Sequence, residues 1–112
     1  MVRYNPARDH IGRAITTIEG CALNRLTLRL QCGCGHVALL DGVAVWALAE
    51  RRRWPGDLRK LAGHFYCSRC FAREQRRVRL RKIELTNETP VGKQPPYPDE
   101  RTWKRLIARY KS

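Results

Sequence analysis

Long apolar runs are missing from this sequence. The longest, Val43 to Ala49, is far too short to cross a bilayer as a helix. The opening residues Met1-Val2-Arg3-Tyr4-Asn5-Pro6 contain no apolar stretch of the kind a secretory leader needs, so the expectation is a cytoplasmic protein without membrane contact. Acidic residues are also few, with 10 Asp plus Glu against 23 Lys plus Arg in 112 residues. Those carboxylates are scattered. Neither H-E-x-x-H nor an H-x-E with a cysteine pair occurs, so neither an enzyme nor a small-molecule substrate is expected. The five cysteines are an odd number, which argues against a simple disulfide framework. In a reducing compartment, clustered thiols read as a metal site before a disulfide.

What is present is positive charge. The net charge is +13, and most of it is arginine, whose planar fork of donors fits phosphate. Such an excess repels itself in a compact chain and seeks a polyanion. Nucleic acid is the commonest one in a cell, with a membrane surface or an acidic protein as competitors. The length fits a single small domain.

Along the chain, the β-branched cluster Ile15-Thr16-Thr17-Ile18 predicts a short strand, ended by Gly20. Leu26, Leu28 and Leu30 alternate with Arg25, Thr27, Arg29 and Gln31, a period of two that predicts a half-buried strand and a hairpin with the first. Val37 to Leu40 reads as a return strand. Asp41 is placed to cap a helix over Gly42 to Arg52, with Val45, Trp46, Leu48 and Ala49 inward. Asp57 is placed to cap a shorter helix that ends near Gly63, with Leu58, Leu61, Ala62 and Phe65 inward. Arg77-Val78-Arg79-Leu80-Arg81 alternates again and predicts a closing strand. Its phase slips at Lys82, as a bulge would cause. The prolines at 90, 95, 96 and 98 mark 87–98 as a linker. Trp103, Leu106, Ile107 and Tyr110 then follow helical spacing among basic residues, predicting a basic amphipathic helix over 99–112 capped by Asp99.

Zinc in a structural site takes four ligands in a tetrahedron, most often thiolates and imidazoles. Two close pairs, Cys32/Cys34 and Cys67/Cys70, supply them, each beside a predicted strand and the first among glycines that let the backbone turn around an ion. His36 stands close enough to replace Cys34 or to support the site from outside. Four thiolates also suit iron. Cys21 lacks a ligand-spaced neighbour and reads as a small buried hydrophobe, and His10 and His64 read as bystanders.

Leu28-Arg29-Leu30-Gln31-Cys32-Gly33-Cys34-Gly35-His36, an alanine- and leucine-rich helical insert, and Cys67-Ser68-Arg69-Cys70 together resemble the zinc ribbons. The arrangement is similar to small bacterial ribbon-like proteins with a helical segment between two knuckles. It covers about residues 24–85. The first knuckle departs from the usual C-x-x-C spacing, and the insert is large. The resemblance implies one structural Zn2+ and a module that binds nucleic acid or docks on proteins. It supports the fold more than the function.

The second pair opens a basic stretch of Arg69, Arg73, Arg76, Arg77, Arg79, Arg81 and Lys82, opposed by Glu74 and Glu84 alone. Alternating arginines on a strand stand about 7 Å apart, near the phosphate repeat of one nucleic-acid strand. Arg25 and Arg29 join that face if the strands pair. About six neutralised phosphates correspond to a log–log salt slope near −5. The plain alternative is a solvated face that keeps the chain in solution. Tyr4, Trp54, Tyr66 and Phe71 are candidates to stack on bases or, equally, to line the core and its rim.

The expectation is therefore a small α+β chain in four parts: an N-terminal segment 1–20, a zinc-ribbon-like domain 21–86 with β hairpins and inserted short helices, a Pro-rich linker 87–98, and a basic helix 99–112. Its expected role is zinc-stabilised, regulatory binding of DNA or RNA. The alternative is an adaptor that docks on a transcription, translation or phage assembly through Trp103, Leu106, Ile107 and Tyr110.

Overall fold

The computed structural model describes residues 3–5 and 12–111, the backbone alone at 3–5, 110 and 111. His10 and the side chains of Tyr4 and Tyr110 lie outside the described residues. The fold is a small α+β arrangement. Three antiparallel strands, β2 (Thr27–Cys32), β3 (Val37–Asp41) and β4 (Leu80–Thr86), form the sheet, and a short β1 (Arg3–Asn5) lies parallel to β4 at one edge, giving the order β1-β4-β2-β3. Helices α1 (Ile18–Leu23), α2 (Gly42–Arg52), α3 (Leu58–Leu61), α4 (Ser68–Glu74) and α5 (Glu100–Lys111) complete it.

The alternation in β2 does what period two requires. Leu28 pairs with Leu85 and Leu30 with Ile83 on the apolar face. Arg29 pairs with Glu84, and Gln31 with Lys82, on the polar one. The phase slip is a bulge. Gln31 faces Lys82 but Cys32 faces Leu80, so Arg81 is the extra residue. Leu80 and Ile83 can then both turn inward, and both are buried.

Asp41 ends β3 and caps α2, its Oδ1 accepting from the Ala44 N–H at 3.0 Å. α2 is buried almost all round, and Leu48, expected inward, is one of its less buried positions. Its small residues Ala44, Ala47 and Ala49 let neighbours close in on several sides. One apolar cluster joins the sheet (Leu28, Leu30, Ile83) to α2 (Val45, Trp46), α3 (Leu58, Leu61) and α5 (Leu106).

The strand expected at Ile15–Ile18 does not form, nor does its hairpin with β2. Thr17 makes an isolated bridge to Asp57, then caps α1 by accepting from the Gly20 N–H at 3.1 Å. Ile18, Cys21 and Ala22 recur at i, i+3 and i+4 and bury one face. Their helical spacing outweighs the β-branched preference.

The stretch 87–98 is not strung free of the domain. Val91 bridges to Leu39, and the Gln94 side chain accepts from the Asp41 N–H at 2.8 Å while donating to the Leu39 carbonyl at 2.9 Å. This segment runs along the open edge of β3 and satisfies backbone groups there. It delivers α5 to the core, where Leu106 is fully buried and Trp103 meets Trp46 edge to face at 6.3 Å.

Candidate metal centre

Cys32 is the last residue of β2, and Cys34 sits in the loop that turns into β3. The loop closes with Gly35 N–H donating to the Cys32 carbonyl and Cys32 N–H to the His36 carbonyl, both at 3.0 Å. Gly35 has φ +93°, which side-chain-bearing residues rarely adopt, so the glycine is required for this tight reversal. The second pair opens a helix, where a turn beside a strand is expected. Cys67 is the N-cap of α4, and its Sγ accepts from the Cys70 N–H at 3.4 Å. Gln75, in the left-handed region, ends that helix one turn beyond Cys70.

The four sulfurs converge although Cys34 and Cys67 lie 33 positions apart. Cys32 Sγ lies 3.6 Å from Cys70 Sγ, and Cys34 Sγ 3.7 Å from Cys67 Sγ. All four lie within 4.8 Å of one another. Sulfurs at the usual zinc distance of about 2.3 Å, placed at tetrahedral corners, would be about 3.8 Å apart. The set can therefore hold one metal ion and fits a single structural zinc. His36 is not among the clustered groups, so the ligand set is the four thiols. Cys21 is a buried free thiol, pushed up to about 12 by burial and then by the charge of Asp41, as an inert hydrophobe would be.

Three of the four thiols are buried, and Cys34 is exposed. A hydrogen bond from the His36 backbone N–H is the main reason Cys34 falls to about 7. Burial pushes Cys70 up to about 12, and proton sharing with the other thiols adds to that. Cys32 is lowered by the Cys34 backbone N–H, but burial and thiol hydrogen bonds outweigh it and the net shift is upward. A metal here replaces protons that Cys32 and Cys70 hold tightly. Four thiolates and a dication carry a net −2, and positive charge stands beside them. Arg73 Nη2 donates to Cys70 Sγ at 3.7 Å.

The basic residues do not form one alternating strand face. Arg69 and Arg73 lie on α4, Arg76 and Arg77 in the following turn, and Arg79 at an isolated bridge to Tyr66, with Arg81 and Lys82 alone inside β4. The closing strand expected over Arg77–Arg81 begins only at Leu80, so Arg77 and Arg79 precede it, and α4 carries Arg69 and Arg73 away from it. Arg29 is 2.9 Å from Glu84 and 4.0 Å from Glu88, and Lys82 is 3.6 Å from Glu84. Arg73 and Arg76 both approach Glu74. Arg25 lies over the Trp103 ring at 5.2 Å. Arg69, Arg77, Arg79 and Arg81 are exposed and have no acidic partner among the described residues. Of the docking set, Leu106 is buried, Trp103 and Ile107 are half-buried, and Trp103 packs on Trp46. The cross-strand ion pairs escape a reading of the sequence because Glu84 and Glu88 lie 55 and 59 positions from Arg29.

Comparison of the chain with known protein families, curated proteins and solved structures finds no match. No helix among the described residues is long and apolar enough to cross a membrane.

Proposed function

We propose that this chain is a zinc-stabilised nucleic-acid-binding protein of the zinc-ribbon kind, with a regulatory role. One observation carries the reading. Of the exposed arginines without acidic partners among the described residues, Arg69, Arg77, Arg79 and Arg81 lie in the segment that the second cysteine pair opens, and Arg51, Arg52, Arg53, Arg59, Arg101 and Arg105 lie on other helices and turns, while the arginines near Glu74, Glu84 and Glu88 are neutralised within the fold. A cationic surface mounted on a metal-held loop suits phosphate contact. Four thiolates around zinc leave no position for a substrate, which favours a structural over a catalytic metal. The adaptor reading has less support, since Trp103 and Leu106 already have partners inside the fold.

The test is binding of zinc-loaded protein to labelled DNA and RNA across a salt series. About four phosphate contacts give a log–log slope of roughly −3 to −4. Replacing Arg77, Arg79 and Arg81 by alanine is expected to weaken binding and flatten the slope. Absence of binding at low salt would contradict the proposal.

A further inference from the structure

Beside the metal centre lies a cleft of about 520 Å³. Its walls come from the end of α2, the turn after α3 and the segment that leads into β4. Arg52, Arg77 and Arg79 line it together with Trp54, Phe65 and Tyr66, and no acidic side chain does. Two of the arginines are held against aromatic rings. The Arg52 guanidinium lies 5.9 Å from the Trp54 centroid, and that of Arg77 lies 5.2 Å from the Tyr66 centroid. His64 stacks on Trp54 at 4.6 Å.

Two large aromatic side chains, Tyr66 in the cleft wall and Phe71 beside it, stay in water. Tyr66 is 41% exposed and Phe71 43%, with ring centroids 5.3 Å apart. Exposed rings side by side forgo the burial that usually stabilises such residues, so their exposure calls for a use. Their position supplies one. Tyr66 immediately precedes Cys67 and Phe71 immediately follows Cys70, so the metal ligands fix both ends of the platform.

We propose that this cleft binds single-stranded nucleic acid, with a base against Tyr66 and Phe71 and its phosphates on Arg52, Arg77 and Arg79. The inference rests on the nucleic-acid reading above and narrows it. Arginines alone would take any polyanion. Open aromatic faces add a contact that only unstacked bases can meet, and the bases of a duplex stay stacked on one another. The volume lies in the range of small-ligand sites, roughly 300–1,000 Å³, and has room for a nucleotide unit.

The test measures anisotropy of labelled oligothymidine, the same length of duplex, and an abasic oligonucleotide with zinc-loaded, full-length protein. The single strand is expected to bind more tightly than the other two. Tyr66→Ala is expected to weaken single-strand binding about tenfold, the size of one lost base–aromatic stack, with abasic binding and salt slope unchanged. Phe71→Leu keeps apolar bulk and removes the ring, so it guards against a folding artefact. It is expected to act in the same direction with zinc content unchanged. Equal binding of duplex, abasic and single strands, indifferent to both substitutions, would overturn the stacking site and leave the phosphate-binding proposal standing. Binding of an acidic peptide with none of the oligonucleotides would overturn both.

Discussion

Gly42 sets how closely α2 approaches α1. Its N–H donates to the Leu26 carbonyl at 3.1 Å. A Cβ added there would run into that same carbonyl oxygen and stand 2.6 Å from Cys21 Sγ. Neither neighbour is the free end of a flexible side chain, so the helix has to move. Gly42→Ala is expected to lower stability by about 1–3 kcal/mol, the usual cost of overpacking, measured by urea unfolding of the zinc-loaded protein. A neutral or stabilising effect would show that α1 and α2 are not packed as described. The thiols make a second residue-scale prediction. Zinc must displace their protons, so affinity falls as pH falls. Cys70 and Cys32, both raised, release protons on binding throughout the neutral range. Cys34 has to release one only below about 7, so the fall is expected to steepen there. Competition with a chromophoric chelator at several pH values measures this. An affinity independent of pH would rule out thiols as the ligands.

Among the elements, α5 shows most clearly how a segment that looks separate becomes part of the domain. Gln94 and Val91 lead it along the edge of β3, and Leu106 enters the common core. Leu106→Ala is expected to cost about 2–5 kcal/mol and to change the fluorescence of Trp46 and Trp103, which meet at this contact. A full-stability variant would mean that α5 is not docked. Most of β2, β3, α2 and α3 was legible in the sequence, because alternation and the caps Asp41 and Asp57 are local signals. A bulge was legible for the same reason, from the changed parity of Ile83 and Leu85, but it falls at Arg81 and not at Lys82. What was not legible depended on distant partners or on one side chain's use. Thr17 turned a β-branched run into a helix start, and Cys67 capped a helix as well as joining the thiol cluster. The four ligands were readable from spacing, but the choice of Cys34 over His36 needed the fold. The cleft aromatics could be named from sequence, while their meeting with Arg52 and Arg77 could not.

For the whole molecule, the metal site ties the β2–β3 loop to the start of α4. Cys32 and Cys34 belong to the β2–β3 loop, whereas Cys67 and Cys70 begin the segment that carries the basic surface. From Leu80 on, β4 anchors that segment to the sheet, but between Cys67 and Arg79 few apolar contacts besides the thiols hold it. The cluster of Cys32, Cys67 and Cys70 is separate from the main core and draws in only Val78. A short chain with a net charge of +13 has self-repulsion to overcome, and metal-binding energy is available as folding energy in such a site. Intact-mass analysis of the protein under native conditions is the direct measurement. A single zinc per chain is expected, lost in Cys67→Ser and Cys70→Ser together with the folded structure, and kept in Cys21→Ser. A parent protein that folds without metal, or a Cys67→Ser variant that keeps its zinc, would contradict the account.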